Sequence, residues 1–386
     1  MTTHASAETR EALTALSDVV KKVLHPDIAH IREMRESGQE FDREAWQQMA
    51  DLGWLSLLVS EHLGGVDAGI DAAVIVGEQC GRAAVPEPFA ASGVFATVWI
   101  ATTAGGVAAV PLLDDMLAGR AVVSAAWQSE RADLTGACPV SAASTDNGFS
   151  LTGKAWWVPT ADADVFLVHA AGPDGPLLLA CPREQPGLTV ERVTLSDGSH
   201  LAHLTFAAVT LQRTAVIGSG DPVLRGLDMA VDLTLVVLSA ELLGIAESAL
   251  EMTLEFLRSR KQFGQAIGSF QALQHAAVDL WMQVRLARAA LEAAQRDIQQ
   301  EGLTADRRAA IASSAKSRAS DVALLVTSRS VHLHGALGFS DEYDLSRYVN
   351  RALVLAAQLG NGTVHRRRFQ SASHQVTTEP GDSADG

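Results

Sequence analysis

The chain is poor in cysteine and in basic residues, and each shortage excludes a class of protein. Its three cysteines, Cys80, Cys138 and Cys181, are scattered along 386 residues without a pairing pattern or metal-ligand spacing. This predicts free thiols in a reducing cytoplasm and argues against both a disulfide framework and a metal site. Lys and Arg number 30 against 45 Asp and Glu, which gives a net charge of −15. Because an acidic chain cannot neutralise phosphates, we expect no nucleic-acid partner.

The chain also lacks a long, uninterrupted hydrophobic run. The N-terminal sequence MTTHASAETREALTAL is polar and amphipathic, and it predicts no signal peptide. The most apolar stretch, LTLVVLSAELLGIAESAL, is interrupted by Glu241 and Glu247. It is therefore typical of a buried core helix rather than of a membrane span. From these features we expect a cytoplasmic protein.

Apolar residues follow a helical pattern, then a strand pattern, then a helical pattern again. Up to about residue 115 and from DPVLRGLDMAVDL onward they recur at spacings of three and four, which predicts helices. Between these regions, short apolar runs alternate with Gly, Pro, Asp and Asn, as in an all-β domain. We expect an α+β multidomain fold with an N-terminal α-helical domain (1–119), a middle β-domain (120–218), a C-terminal helical bundle (219–372) and a disordered tail (373–386).

Two motifs in the C-terminal region carry a family likeness. RKQFGQAIGSFQALQH begins at Arg260, and VHLHGALGFSDEYDLSRYV follows further along the chain. With the helix–strand–helix order and an early LGG turn, they resemble the acyl-CoA dehydrogenase family. The resemblance implies a middle β-barrel or sandwich and a C-terminal four-helix bundle. It also implies FAD, an acyl thioester of coenzyme A as substrate, and electron-transfer flavoprotein as electron acceptor.

The resemblance assigns the first motif to a flavin bound by a neighbouring subunit. Arg260 would pair with the flavin pyrophosphate, since a planar guanidinium matches phosphate oxygens two at a time. Gln262 would hydrogen-bond the same group, Phe263 would pack on the cofactor, and Gln271 would touch it. An exposed cluster at a helix end is the alternative interpretation of these residues.

The second motif resembles the glycine-rich turn that approaches the adenosine half of that flavin. Gly335 and Gly338 would keep the backbone open for this approach. His332 stands where the family usually has Gln, and Ala336 where it usually has Gly. A structural helix stop is the alternative interpretation.

The catalytic carboxylate of the family has no counterpart at its usual place. The family keeps a Glu just before a Gly-Thr, and the matching stretch AAQLGNGTVHRRRF offers Asn361 or Gly360, with Thr363 as a further cofactor contact. The alternative position, on the helix that begins the bundle, is Thr234. Asp232 is the fallback candidate for a base that removes the proton next to the thioester carbonyl.

The β-domain departs from the family in the segments that flank the subunit's own flavin. They correspond to WQSERAD (127–133) and WWVPT (156–160). Trp157 is kept for stacking on the ring or for filling the core. Pro159 stands where the family has Thr, and it offers neither a hydroxyl nor a backbone N–H. Thr160 would replace it only if the loop shifts.

These departures are similar to those of one branch of the family, the heterotetramers of actinobacterial steroid side-chain degradation. There one chain carries the base and its partner completes the flavin site. The leading hypothesis is therefore a base-lacking subunit that works beside a catalytic homologue in α,β-desaturation of an acyl-CoA. The alternatives are a self-sufficient homo-oligomer with a different base such as Asp232, a flavin-free scaffold on the same fold, and an oxidase or monooxygenase.

Overall fold

The computed structural model describes residues 7–25, 28–132, 134, 138–340 and 343–378. The chain divides after Thr234 into two compact units. The first contains the N-terminal helices and the β-sheet, and the second contains most of the C-terminal helices. The boundary lies inside one long helix rather than between elements.

The first unit begins with short helices. They are α1 (Ala7–Val23), α2 (Ile28–Ser37), α3 (Arg43–Asp51), α4 (Gly69–Ala83), α5 (Thr97–Thr103) and α6 (Ala109–Leu117), with a π-helical segment at Phe89–Ala96. Asp42 caps α3 by accepting the backbone N–H of Glu44 at 2.7 Å. In the LGG turn, Gly64 has a φ of 85°, a conformation that glycine adopts without strain. Trp46, Trp54 and Trp99 fill the core beneath these helices.

A sheet of eight strands, counted within the described residues, completes the first unit. The strands are β1 (Val123–Ala126), β2 (Val140–Thr145), β3 (Gly148–Pro159), β4 (Val165–Gly172), β5 (Gly175–Pro182), β6 (Leu188–Thr194), β7 (His200–Gln212) and β8 (Val216–Ser219). Their order is β6-β7-β3-β2-β4-β5-β8, and β1 pairs with β4 in parallel. Most of the buried positions in β7 alternate with more exposed ones, which places one face of this strand on the core.

The C-terminal region is helical and surrounds one alanine-rich helix. It contains α7 (Asp221–Ser259), α8 (Gln271–Ile298), α9 (Ala305–His334), α10 (Leu345–Ala357) and α11 (Gly362–Thr378), with a hairpin of β9 (Lys261–Gln262) and β10 (Gln265–Ala266). Helix α9 packs against α8, α10 and α11. Its buried positions are mostly Ala and Ser, which allow close approach of the neighbouring helices.

The predicted order of N-terminal helices, β-domain and C-terminal helices is confirmed. Helix α11 continues to Thr378, into the first residues of the segment that the sequence predicts as a tail. Residues 379–386 of that tail and residue 133 of the WQSERAD segment lie outside the described residues. The domain boundaries at 119, 218 and 372 stay predictions. Helix α7 is long and apolar enough to cross a membrane, but 89% of its most apolar 18-residue window is buried inside the protein.

Candidate functional site

The RKQFG motif forms a short hairpin between α7 and α8. Lys261 and Gln262 pair with Ala266 and Gln265 in antiparallel register. Phe263 and Gly264 form the turn, with φ angles of 52° and 80°. Two consecutive positive φ angles match the twist of a tight hairpin, and glycine at the second position favours it. We call residues 260–270 the arm.

The side chains at the tip of the arm point into solvent. Phe263 is 91% exposed, and its ring meets that of Phe270 edge-on with centroids 6.1 Å apart. Arg260, Gln262 and Gln271 are exposed as well. Within the described part of the chain, the Arg260 guanidinium has no hydrogen-bond or ion-pair partner. The arm therefore presents a free cation, an amide and a ring, which suit a diphosphate attached to a flat group.

Backbone hydrogen bonds fix the base of the arm. The Arg260 N–H donates to the carbonyl of Phe256 at 2.9 Å, and the Arg260 carbonyl accepts from Ile267 N–H at 2.8 Å. Gly268 lies so close to α7 that a Cβ there would be 2.8 Å from the Leu257 carbonyl oxygen. The base of the arm is thus held against the end of α7, while the tip projects.

The second motif ends α9 in a tight turn. Gly335 has a φ of 62° and follows the last helical residue, His334. Gly338 is required by packing, because a Cβ there would lie 2.8 Å from the Val331 carbonyl oxygen. His332 and Ala336, the two positions that depart from the family, are both exposed.

Sequence reasoning missed His334, which is the buried histidine of this motif. Its ring is 5% exposed and stacks on Phe256 at a centroid distance of 4.3 Å. Its Nδ1 lies 2.8 Å from the Ser330 carbonyl oxygen, and its Nε2 lies 3.2 Å from the Tyr343 hydroxyl. Nothing in the motif indicates that His334 is buried, because the resemblance to the family directs attention to His332, where the family usually has Gln.

The usual position of the catalytic carboxylate is occupied by a helix cap. Asn361 Oδ1 accepts the backbone N–H groups of Thr363 and Val364 at 3.0 and 3.1 Å, which caps α11. Thr363 is exposed, and its Oγ1 accepts from Arg366 at 3.3 Å. The amide of Asn361 is thus committed to the helix and offers no proton acceptor to a substrate.

The preceding residue cannot take a longer side chain without rearrangement. Gly360 has a φ of 97°, and a Cβ there would lie 3.0 Å from Val364 Cγ1 and 3.3 Å from His365 Nε2. Leu359 also has a positive φ, 53°. Backbone of this kind is strained for most residues. Neither predicted position of the base therefore provides a carboxylate.

A buried lysine holds this turn from inside the helical unit. Lys316 Nζ donates to Ser320 Oγ, to the Ala356 carbonyl and to the Gly360 carbonyl, at 3.2, 3.3 and 3.4 Å. The side chain is fully buried, and burial lowers the pKa of Lys316 to about 7. His365 is buried nearby, and burial lowers its pKa to about 3, with the charges of Lys316 and Arg368 adding to the effect.

Asp232 and Thr234, the alternative base positions, both lie buried in α7 with 1% exposure. Two residues along a helix correspond to a rotation of about 200°, so the two side chains face opposite sides. Asp232 has an interaction partner. The Thr234 hydroxyl has none among the described residues.

Two further carboxylates of α7 are bound by arginines. Glu241 Oε1 accepts from Arg351 at 2.7 Å, and Glu247 Oε1 accepts from Arg288 at 2.6 Å. Both carboxylates are thus held in ion pairs between helices of the C-terminal region.

In the sheet, Trp157 occupies an irregular point of β3. The register with β7 shifts between Ala155 and Val158, and Trp157 has a φ of 56°. The bulge leaves the indole 38% exposed, while its Nε1 donates to the Glu130 carbonyl at 3.0 Å. The ring of His203 packs edge-on at 5.4 Å. The positive φ and the half-exposed ring of Trp157 favour a cofactor contact. Core filling would explain only the buried part of the ring.

Thr160 follows this bulge and is buried, so its hydroxyl does not lie at the surface in place of the threonine that the family has at Pro159. It is 4% exposed with a φ of 59°. Pro159 offers no N–H, and its carbonyl accepts from Ser124. The loop beyond Thr160 is anchored by Glu40, whose carboxylate accepts the Asp162 N–H at 3.0 Å. Burial raises the pKa of Glu40 to about 7. Among the described residues, no group of three or more His, Cys, Asp or Glu could hold a metal ion.

Comparison with protein families gives two matches along the chain. Residues 6–105 match the N-terminal domain of acyl-CoA dehydrogenases, and residues 230–373 match their C-terminal domain. The second match includes the arm, the turn after α9 and the capped turn at Asn361.

Individual proteins are similar over nearly the whole chain. Acyl-CoA dehydrogenase FadE27 of Mycobacterium tuberculosis is 30% identical over 382 residues, covering 94% of this chain and 96% of FadE27. A variant of the Tcur3481–Tcur3483 steroid ACAD has a TM-score of 0.84 at 27% identity, with coverage of 96% and 100%. The ChsE4–ChsE5 complex from Mycobacterium tuberculosis gives a TM-score of 0.82 at 26% identity, with coverage of 99% and 100%.

Proposed function

Because this chain belongs to the acyl-CoA dehydrogenase family, we propose that it is the base-lacking subunit of a heteromeric acyl-CoA dehydrogenase. In this role it covers a flavin bound mainly by a homologous catalytic subunit. The family is FAD-dependent and oxidises CH–CH groups. The reaction of the assembly is α,β-desaturation of an acyl-CoA thioester, with electron-transfer flavoprotein as acceptor.

The observation that carries the proposal is the capped turn at residues 359–361. A dehydrogenase of this kind needs a carboxylate that takes the proton next to the thioester carbonyl. Here Asn361 caps α11 with an uncharged amide, and a side chain at Gly360 would crowd Val364 and His365. The carboxylates of α7 at Glu241 and Glu247 are neutralised by arginines.

The arm supports the second half of the proposal. Phe263 is 91% exposed and the Arg260 guanidinium is free within the described residues. Exposing a large aromatic ring next to an unpaired cation favours burial against another molecule. FAD, when bound, accepts a hydride from the carbon next to the one that loses its proton. Arg260 and Gln262 would hold the diphosphate of FAD, and Phe263 would shield the cofactor from water.

The relatives support a heteromer and a substrate class. ChsE4–ChsE5 was solved as a complex, and Tcur3481–Tcur3483 is described as a steroid ACAD. By this similarity we assign the substrate to steroid acyl-CoA thioesters and the partner to a second acyl-CoA dehydrogenase homologue. The fused rings of such a thioester are large and apolar.

Flavin content tests the proposal. The chain is purified alone and after co-expression with a homologous subunit that has the family's Glu, and FAD is released and quantified per chain. We expect little flavin on the isolated chain and stoichiometric flavin on a co-purified complex. Full flavin on the isolated chain would support a self-sufficient homo-oligomer. No flavin in either sample would favour a scaffold.

A further inference from the structure

His334 has a fixed tautomer and a fixed orientation. The Ser330 carbonyl only accepts, so Nδ1, at 2.8 Å, carries the hydrogen. Nε2 then accepts from the Tyr343 hydroxyl at 3.2 Å. Both nitrogens of a neutral imidazole are therefore satisfied, and the ring cannot turn without losing one bond.

The same ring packs on the residue that anchors the arm. His334 and Phe256 stack at 4.3 Å with an angle of 26° between their planes. Phe256 accepts the backbone N–H of Arg260 at 2.9 Å in the last turn of α7. Arg260 in turn accepts from Ile267 across the base of the hairpin, at 2.8 Å. A continuous set of contacts thus joins the second sequence motif to the first.

We infer that His334 is a positioning residue for the arm, acting through Phe256 on the last turn of α7 and hence on the direction of Arg260. Its consequence for flavin binding rests on the proposed function. The position of the arm itself does not, because it can be measured without flavin.

The surroundings of His334 favour the neutral ring. Burial lowers the pKa of His334, and the hydrogen bond to Ser330 opposes this in part. Tyr343 faces it from the turn before α10, with its pKa raised by burial and by the charge of Asp344. Phe256 on α7 and Ser330 on α9 carry no charge. Protonation, as the pH falls through the acid side of the usual histidine range, puts a charge and a second donor into this site, so the arm should loosen in acid.

Hydrogen exchange of the arm in the full-length chain tests the inference. In His334→Ala the amides of Arg260 and Ile267 should exchange about five to thirty times faster, while core amides of α8 stay unchanged. His334→Phe keeps a ring on Phe256 and should remain protected, and it should lose the acid-induced loosening of the native chain. His275→Ala, at an exposed histidine of α8, is the matched control. It should leave the exchange rates of the Arg260 and Ile267 amides unchanged.

Two outcomes would overturn the inference. One is native exchange rates in the arm of folded His334→Ala, and the other is unaltered acid loosening in His334→Phe. If His334→Ala does not fold, His334→Phe alone decides. Flavin content of the co-purified complex separates this inference from the proposed function. A complex without flavin contradicts the proposed function, whereas unchanged exchange contradicts the role of His334.

Discussion

The ammonium group of Lys316 lies 3.4 Å from the carbonyl oxygen of Gly360, the residue next to the helix cap at Asn361. This contact fixes, from inside the helical unit, the turn where the family has its base. A buried cation that donates only to uncharged oxygens is costly unless it loses its proton, and burial indeed lowers the pKa of Lys316 to about 7. The turn is therefore built into the core, although it carries no carboxylate.

Replacing Lys316 by Met should change how stability depends on pH. The pKa of Lys316 falls from 10.5 to about 7 on folding, so the unfolded chain binds more protons between these values. Native stability should therefore rise with pH from about 7 to 10.5 relative to Lys316→Met, by at most about 1.4 kcal/mol per pH unit. Urea unfolding at several pH values measures this. Parallel curves for the two proteins would contradict it.

Removing the helix cap should lower the stability of the protein and leave the turnover of the complex unchanged. Asn361→Ala should lower the free energy of unfolding by about 1 kcal/mol, because two N–H groups of α11 lose their acceptor. Asn361→Asp keeps a capping oxygen and should stay near the native value. Both are measured by denaturant unfolding. Loss of turnover by the complex in Asn361→Asp, at unchanged stability, would show that the amide has a chemical role.

Glu40 should give stability a pH dependence of the opposite sign. Its pKa rises from 4.5 to about 7 on folding, mainly through burial, so the folded chain binds the extra proton. As the pH rises from 4.5 to about 7, the free energy of unfolding of the native chain should fall relative to that of Glu40→Gln, by up to about 1.4 kcal/mol per pH unit. Glu61→Gln, an exposed residue of the same unit, is the control and should follow the native curve. A Glu40→Gln curve parallel to the native one would rule out the raised pKa.

Replacing Arg260 should weaken flavin binding without unfolding the protein. The side chain is exposed, so Arg260→Ala should leave the melting temperature nearly unchanged. Loss of a charge-assisted hydrogen bond should weaken FAD retention by the complex about ten- to hundredfold. Arg260→Lys keeps the charge without the bidentate geometry and should be intermediate. Arg258→Ala, two residues earlier, is the matched control; an equal loss in this variant would show that general surface charge attracts the flavin.

Much of the fold could be read from the sequence because its signals are local. The period of the apolar residues separates helices from strands. The turn at Phe263 and Gly264 has no such local signal, because a φ of 52° is unusual for a bulky residue such as Phe. An Asn immediately before a helical run is a cap signal, whereas the resemblance to the family assigns Asn361 to the position of a missing base. The local sequence thus indicates the order of helices and strands, whereas the hairpin of the arm and the cap of α11 are seen only in the structure.

Other features depend on contacts between distant residues and could not be predicted. His334 and Phe256 stack across 78 positions of sequence, and only the fold distinguishes His334 from the exposed His332. Lys316 meets Gly360 because α9 packs against α10 and α11. The bulge that exposes Trp157 arises from its pairing with β7, which no residue of β3 specifies alone.

Anaerobic mixing with a steroid acyl-CoA thioester tests the central claim most directly, with flavin absorbance as the signal. The isolated chain, even after addition of FAD, should show no bleaching of the flavin in the time that the complex needs for one turnover. The reason is that no carboxylate of this chain takes the substrate proton. The co-purified complex should bleach stoichiometrically with its flavin. Rapid bleaching by the isolated chain would contradict the account and would identify this polypeptide as a complete dehydrogenase.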